Sequence, residues 1–325
     1  MAQNKDLITL SRAYNNLVNY TQGGTFDPLV ASLITAISDF IEKWCKRRFV
    51  TWSYDELYNG NGDRRMILRQ YPIQSVKSVR YRPVTVLFVQ NTNMTLIQQA
   101  RVSVLNNGLA LFTMASGVAT TTTAGLTYAA CPTLQSLATA INAIGSGWTA
   151  QVVGASAGDY GLWPSSDLYV PGSFGDALEG TGILQSQGAQ NARGVNAELK
   201  MHTYELSGYQ WDARGWLLRA IPYTDPELLH PEDLIFLVGI NNFRVQYTAG
   251  YSTVPEAVQE ACAEWVAQLI YEIQRDPALQ SQAILGGTTQ AWNTAGFSGS
   301  GANMPPTVEA LLAPYRRRSI SNWQS

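Results

Sequence analysis

The sequence predicts an α+β protein in which a small helical core with a β-hairpin arm is interrupted by an inserted, mainly-β, sandwich-like domain with one helix. Two stretches, starting at Asp27 and Pro255, repeat apolar residues at helical spacing and predict the core. The chain has 325 residues with 22 Lys and Arg and 24 Asp and Glu, but residues 84–197 contain only six of these charges. Such a shift in composition predicts a separate domain. The expected parts are a discontinuous core of residues 1–83 and 198–285, an insert of residues 84–197, and a flexible C-terminal docking tail of residues 286–325.

The first strong helix is expected to begin at Asp27. Asp27 is a good N-cap residue, and Pro28 suits the first helical position. Apolar residues then recur at helical spacing up to Trp44. Basic residues follow in the last turn, where cations suit the helix dipole. They are Lys43, Lys46, Arg47 and Arg48.

A β arm follows this helix. We expect strands over residues 51–58, 65–71 and 75–82. The turn between the first two contains Gly60 and Gly62, which supply the positive φ that a tight hairpin needs.

The insert alternates short β-like runs with Gly, Ser, Thr and Asn. One helix is expected from Pro132 to about Ile144, and residues 172–196 are expected to form a long loop because they are rich in Gly, Ala, Gln and Asn. The predicted strands are residues 84–89, 100–105, 109–115 and 148–153.

A strand, a glycine turn and a helix follow in "FRVQYTAGYSTVPEAVQEACAEW". Similar junctions bind phosphate, but this one has a single glycine, Gly250, and a carboxylate, Glu256, in the first helical turn. A carboxylate there competes with an anionic ligand. We therefore expect Gly250 to make the turn and Pro255 to start a helix that runs to about Arg275.

The C-terminal part is expected to be a flexible segment, residues 286–303, followed by a short helix, residues 307–313, that Pro314 stops. The sequence Tyr315-Arg316-Arg317-Arg318 then has the form of a tethered docking peptide. A solubilising tail explains it equally well.

Composition excludes several classes of function. The net charge of −2 predicts no general attraction to nucleic acid or to anionic membranes. No apolar run is long enough to span a bilayer, and the start, MAQNKDLITLSRAY, lacks the apolar core of a secretion signal. The three cysteines show neither metal-site nor disulfide spacing, so we expect reduced, buried thiols. They are Cys45, Cys131 and Cys262.

The sequence gives little sign of catalysis or metal binding. It contains no HExxH and no GxxxxGK, and His202 and His230 have no suitably spaced partners. We expect no catalytic residues, no cofactor and no metal. Three tryptophans, Trp163, Trp211 and Trp216, could form a sugar-binding platform, although scattered tryptophans are more often core residues.

Basic residues are concentrated in residues 43–82. This segment holds ten Lys and Arg against three acidic residues, a charge of +7, so the rest of the chain carries −9. A solvated face explains this concentration, and so does an acidic protein partner. A protein partner is the better functional explanation, because no nucleic-acid-binding signature accompanies the charge.

Several stretches in order resemble one protein family. They are "DPLVASLITAISDFIEKWCKRRFV", "YNGNGDRRMILRQYPIQSVKSVRY", "FRVQYTAGYSTVPEAVQEACAEWVAQLIYE" and "MPPTVEALLAPYRRRSI". Their order resembles the head–tail connector (adaptor, head-completion) proteins of tailed bacteriophages. The resemblance covers residues 7–82 and roughly 205–320.

The resemblance implies a structural virion protein of the neck, made in the host bacterial cytoplasm. It implies a homo-oligomeric ring, commonly dodecameric, that binds the portal protein and offers a platform to the next tail or head-closure protein. Viral DNA would pass through the lumen without sequence-specific binding. Residues suggested for portal or intersubunit contacts are Arg47, Arg48, Arg64, Arg65, Arg69, Tyr315, Arg316, Arg317 and Arg318.

The long insert departs from this family, in which the corresponding connection is short. The insert could anchor fibres, and the chain could instead be a fibre-docking or host-recognition protein whose insert binds a receptor. A third hypothesis, a cell-wall hydrolase, would need paired catalytic carboxylates in a cleft.

Overall fold

A computed structural model of the chain describes residues 5–17, 20–105, 107–153, 160–170, 189–219, 235–274, 281–284, 288–291 and 304–317. The chain forms two compact units. Unit 1 comprises Met1–Trp52 and Gly250–Ser325, and unit 2 comprises Ser53–Ala249. Helices and antiparallel sheets confirm the predicted α+β class.

The described residues of unit 1 form four α-helices and a two-stranded sheet. The helices are α1 (Leu10–Tyr14), α2 (Asp27–Cys45), α4 (Glu256–Gln274) and α5 (Pro306–Leu312), and the strands are β13 (Ser281–Ile284) and β14 (Thr288–Ala291). Apolar residues from all four helices form one buried core, including Ala13, Ile34, Val266 and Val308. None of the described helices combines the length and the hydropathy of a membrane span.

The start of α2 differs in one detail from the prediction. The N-cap position is Phe26, and Asp27 is the first helical residue. The Asp27 carboxylate accepts hydrogen bonds from the Tyr14 hydroxyl (2.5 Å) and from the Gly23 N–H (3.0 Å) instead of capping the helix with its side chain. Pro28 lies in the first turn, as expected.

Gly250 makes a sharp turn before α4. Its φ is +119°, and a Cβ atom on it would lie 2.5 Å from the Val50 carbonyl oxygen. Beside it, the Tyr251 N–H donates to the Phe49 carbonyl oxygen at 2.7 Å. The backbone at Gly250 therefore approaches the backbone at Val50 so closely that only glycine fits. The junction has the structural role that the sequence predicted.

Unit 2 contains three antiparallel sheets. The largest has the order β1–β12–β3–β7, with β9 also paired to β3. A four-stranded sheet has the order β6–β5–β4–β8, and a three-stranded sheet has the order β10–β11–β2. The strands are β1 (Trp52–Gly60), β2 (Arg65–Ile67), β3 (Ile73–Asn91), β4 (Ile97–Leu105), β5 (Gly108–Ala115), β6 (Val118–Thr122), β7 (Trp148–Val152), β8 (Ala189–Asn191), β9 (Ala197–Glu205), β10 (Tyr209–Asp212), β11 (Trp216–Arg219) and β12 (Gly239–Ala249).

One helix, α3 (Leu134–Ile144), packs within unit 2 as predicted for the insert. Thr133 caps it in a reciprocal pair with Ser136: each side chain accepts a hydrogen bond from the other residue's backbone N–H. Leu137 and Ile141 face a buried core that also takes residues from β3, β4, β5 and β9. This core runs from Val86 to Met201 along the chain, which closely matches the extent of the predicted insert.

The boundaries of the compact units differ from those expected at residues 83/84 and 197/198. β3 and β9 cross these positions without interruption. Pro83 is tolerated inside β3 because the pairing with β12 ends at Tyr81 and the pairing with β7 begins at Leu87, so one edge is open between them. Independent folding of residues 84–197 stays a prediction.

The predicted glycine hairpin is wrong, because β1 and β2 belong to different sheets. Gly62 has the expected positive φ of +75°. Gly60 does not: a Cβ atom there would overlap the Leu237 carbonyl oxygen, at 1.7 Å, so Gly60 is required by a close approach of two backbones.

Gly250→Ala is expected to destabilise unit 1 by about 2 kcal/mol or more, because it adds backbone strain and a clash with Val50. The matched control is Gly23→Ala in the same unit, where φ is +97° but nothing lies within 4 Å of the added Cβ. Urea denaturation should show a clearly smaller loss for Gly23→Ala. Equal losses would mean that the approach of Val50 does not constrain the turn.

Candidate functional site

The residues suggested for contacts are divided between the two compact units, and some of them are buried. Arg47 and Arg48 are buried in unit 1, with 2% and 4% of their surface exposed. Arg64 and Arg65 are exposed in unit 2, and Arg69 is half-buried there. Arg318 lies outside the described residues.

Arg47 and Arg48 pack on aromatic rings of their own unit. The Arg47 guanidinium carbon lies 5.2 Å from the ring centroid of Phe49 and 5.3 Å from that of Tyr251. The Arg48 guanidinium carbon lies 4.9 Å from the ring centroid of Trp52. These are cation–π distances. Both arginines are therefore covered by the folded chain, which corrects the expectation of a solvated basic face at this point.

The C-terminal helix is also part of unit 1. Met304, Val308 and Leu312 are buried in its core. The Arg317 N–H donates to the Cys45 carbonyl oxygen at 2.9 Å, and the Arg316 guanidinium carbon lies 4.8 Å from the Trp44 ring centroid. The expected flexible docking tail is corrected for residues 304–317, because apolar residues of α5 complete the helical core. Of the expected flexible segment, residues 286–303, only the strand β14 lies among the described residues.

Tyr315 joins the aromatic cluster around Arg47. Its ring centroid lies 6.0 Å from that of Phe49, which stacks on Tyr251 at 6.3 Å. Arg47 and Tyr315, two of the suggested contact residues, thus both pack on the Phe49 ring. Their shared role in the isolated chain is to hold the C-terminal segment on unit 1.

The three-stranded sheet presents an exposed basic and aromatic face, which we call the arm face: Arg64, Arg65, Ile67, Arg214 and Trp216. Trp216 pairs with Ile67 across β11 and β2. Guanidinium carbons of Arg65 and Arg214 lie 5.1 and 5.5 Å from the Trp216 ring centroid. Ile67 is 47% exposed. Cations that flank a half-buried aromatic ring form a suitable surface for a protein partner.

A buried ion pair, which the sequence did not reveal, lies at the centre of unit 2. Arg244 on β12 donates from Nε to Asp55 Oδ1 at 2.8 Å and from Nη2 to Asp55 Oδ2 at 2.6 Å. Gln246 donates a further hydrogen bond to Asp55, and Arg244 Nη1 donates to the Asp167 carbonyl oxygen at 2.6 Å. Burial alone raises the pKa of Asp55, but the Arg244 guanidinium outweighs burial and holds the pKa below its usual value.

A second buried carboxylate holds Arg69 in place. Glu56 Oε2 accepts hydrogen bonds from the hydroxyls of Tyr58 (2.5 Å) and Tyr247 (2.8 Å). Arg69 lies with Nη1 3.8 Å from the same oxygen and with its guanidinium carbon 4.7 Å from the Tyr58 ring centroid. Arg69 therefore balances a buried carboxylate, and its suggested role in portal or intersubunit contacts stays a prediction.

The cysteines and His202 have structural surroundings. All three cysteines are free and buried, as predicted. His202 is buried and its pKa falls to about 4, chiefly because burial disfavours the imidazolium. Within the described ranges, no group of three or more His, Cys, Asp or Glu side chains could hold a metal ion. His230 lies outside the described residues.

Glu42→Gln is expected to remove a pH dependence of unit 1 stability. Burial raises the pKa of Glu42 from its ordinary 4.5 to about 7, although the Phe49 N–H and Arg48 oppose the shift. A raised pKa means that the folded state holds the proton more tightly, so this stability is present below pH 4.5 and is lost as the pH rises through 7. At pH 8 the variant should be more stable than the wild type by up to about 3 kcal/mol.

Urea denaturation between pH 4.5 and 8 measures this effect. Gln accepts the same N–H of Phe49, so the geometry is kept. Glu309→Gln, an exposed change on α5, is the control and should leave the pH profile unchanged. Parallel profiles for the wild type and Glu42→Gln would contradict the expectation.

Leu312→Ala is expected to destabilise unit 1 by about 2–5 kcal/mol, because it opens a cavity in a buried core. Leu311→Ala, at the neighbouring half-buried position, should cost clearly less. Thermal and urea denaturation provide the measurement. If both variants are as stable as the wild type, α5 does not belong to the folded core.

Comparison with known proteins places the chain as follows. The family model described as "Head completion protein" matches residues 6–137. A solved structure described as "Neck of empty GTA particle computed with C6 symmetry" is 13% identical, covers 100% of this chain and 97% of its own, and superposes with a TM-score of 0.34. No curated protein matches. Residues 6–137 thus match the head completion protein family, which confirms the predicted resemblance for residues 7–82. The match also covers residues 84–137, which were expected to depart from the family, and the resemblance of residues 205–320 stays a prediction.

Proposed function

We propose that this chain is a structural head completion protein of a tailed-phage neck, whose copies form a ring between the portal and the tail. The observation that carries the proposal is the match of residues 6–137 to the head completion protein family. This segment includes α1, α2 and the strands of the arm, so the match extends over parts of both compact units.

A ring of identical subunits needs two different surfaces on each copy, since head-to-tail contacts close only when unlike patches meet. The arm face supplies one surface with exposed cations and a half-buried ring. With Arg47, Arg48 and Arg69 engaged inside their own units, Arg64 and Arg65 are the suggested basic residues that remain exposed for it. The rest of the chain carries a charge of −9 outside residues 43–82, and acidic residues there are the candidates for the complementary surface.

The finer features of the proposal follow from the resemblance. The ring, commonly a dodecamer, would sit under the portal protein, extend the DNA channel and dock the next tail or head-closure protein. Arg316, Arg317 and Arg318 remain candidates for the portal contact, and the first two now lie at the end of a folded helical segment. The protein would be made in the host bacterial cytoplasm and carried in the virion neck. No catalytic role is proposed.

A double charge reversal, Arg64→Glu with Arg65→Glu, is expected to lower ring formation and virion completion by about tenfold or more, because it reverses the charge of two of the three cations of the arm face. The control is Lys77→Glu with Arg101→Glu, which makes the same charge change at exposed positions on β3 and β4. Light scattering, negative-stain microscopy and complementation of tail attachment give the readouts. Wild-type assembly by the arm-face variant would contradict the role of this surface.

A further inference from the structure

Unit 2 contains a cavity of about 200 Å³ that the proposed neck function does not use. The polar and aromatic residues that line it come from β3, β9 and the loop before a short 3-10 helix, Ser165–Asp167. They are Arg80, Trp163, Asp167, His202, Thr203 and Glu205. Sites for drug-sized ligands measure roughly 300–1,000 Å³, so this cavity suits one small ring.

The loop that carries Trp163 and Asp167 is held firmly. The Leu134 N–H donates to the Trp163 carbonyl oxygen at 3.0 Å, and the Ser165 hydroxyl donates to the Cys131 carbonyl oxygen at 2.5 Å. The Tyr169 N–H donates to the carbonyl oxygen of Lys200 on β9 at 3.0 Å. The cavity wall is therefore pre-formed, which lowers the cost of binding.

The charges of the wall favour a neutral, hydroxyl-rich ligand. Arg80 Nη1 lies 2.5 Å from Asp167 Oδ2, so the one cation of the lining is already paired. Glu205 lies opposite Arg80 in the strand register and is exposed. Two carboxylates against one guanidinium disfavour an anionic ligand, and both carboxylates can accept hydrogen bonds from hydroxyl groups.

His202 supplies an unsatisfied acceptor. The side chain is 2% exposed, and Nε2 lies 3.2 Å from the Asn241 carbonyl oxygen, to which it must donate. In that tautomer Nδ1 is an acceptor, and it is buried without a hydrogen-bond partner in the part of the chain that the structure describes. An unsatisfied buried acceptor is costly, and a ligand hydroxyl is a donor of the right kind.

Trp163 supplies an apolar face. Its ring is half-buried and is braced edge-on by Tyr160, with ring centroids 5.1 Å apart. A sugar ring offers C–H groups to an aromatic face and hydroxyls to surrounding polar groups, and this pairing matches the lining. Recognition of an organic cation typically uses a cage of several aromatic rings, whereas the described residues of the lining offer only Trp163 and the smaller imidazole of His202.

We propose that this cavity binds a single neutral sugar residue, of the kind exposed on a glycan. Trp163 stacks on the sugar ring, Asp167 and Glu205 accept from its hydroxyls, and Arg80 orients Asp167. The site uses residues of unit 2 alone and does not depend on ring assembly. It would give a neck protein a second role, contact with a carbohydrate surface.

Saturation-transfer NMR on the full-length protein tests the proposal, with the methyl α-glycosides of glucose, galactose, mannose and N-acetylglucosamine as ligands. At least one sugar should bind, with a Kd of the order of 1 mM, which corresponds to a weak single-ring ligand. Trp163→Ala should weaken binding by about tenfold or more, and Glu205→Gln by several-fold. Trp211→Ala removes a tryptophan of unit 2 outside the cavity and should leave binding unchanged.

Circular dichroism and melting temperature establish that each variant is folded, and Glu205→Gln keeps the test decisive if Trp163→Ala unfolds. Three outcomes would overturn the proposal. The first is that none of the four sugars receives saturation transfer from the protein, and the second is that Trp163→Ala binds a sugar as well as the wild type does. The third is that choline chloride binds and the sugars do not. Because ring formation by the same samples is measured separately by light scattering, failure of sugar binding is distinguishable from failure of the neck function.

Discussion

The buried pair of Arg244 and Asp55 organises unit 2. It joins β12 to β1 through two hydrogen bonds, and the third branch of the same guanidinium fixes the backbone at Asp167. Two ions taken out of water repay their desolvation only when geometry and additional hydrogen bonds are good, and here both conditions hold. Since Asp167 in turn pairs with Arg80, one charge network links the central sheet to the loop that lines the cavity.

Several of the cations suggested as contact residues are engaged within the folded chain. Arg47, Arg48 and Arg316 pack on aromatic rings, and Arg69 balances a buried carboxylate. A positive segment of sequence is therefore not a positive surface of equal size. The arm face retains the exposed cations Arg65 and Arg214, whose guanidinium carbons lie 5.1 and 5.5 Å from the centroid of the half-buried Trp216 ring.

Unit 1 shows how distant parts of a chain can share one core. The apolar faces of α2 and α4 come from opposite ends of the sequence, and α5 adds Val308 and Leu312 to them. Apolar burial on this scale stabilises the helices more than their individual propensities do. The close approach at Gly250 then brings Val50 and Tyr251 together at the start of α4.

The sequence by itself determined the fold class, the two long helices, the helix α3 and the glycine turn at Gly250. These depend on local periodicity, capping and backbone freedom, which neighbouring residues carry. The sequence also contains the motifs on which the family resemblance rests. It did not predict that β1 and β2 would enter different sheets, because pairing across many residues depends on partners far along the chain.

Tertiary structure alone decided which charged residues are buried. Arg244 meets Asp55 across 189 residues, and the cavity collects residues from positions 80, 163 and 202. No local pattern marks such pairs, because a charge is tolerated inside only when a distant counter-charge arrives with it. For the same reason the sequence predicted a free tail for the C-terminal basic segment. The nearby apolar residues Val308 and Leu312 are buried only because α2 and α4, which are distant in sequence, provide the core that they pack into.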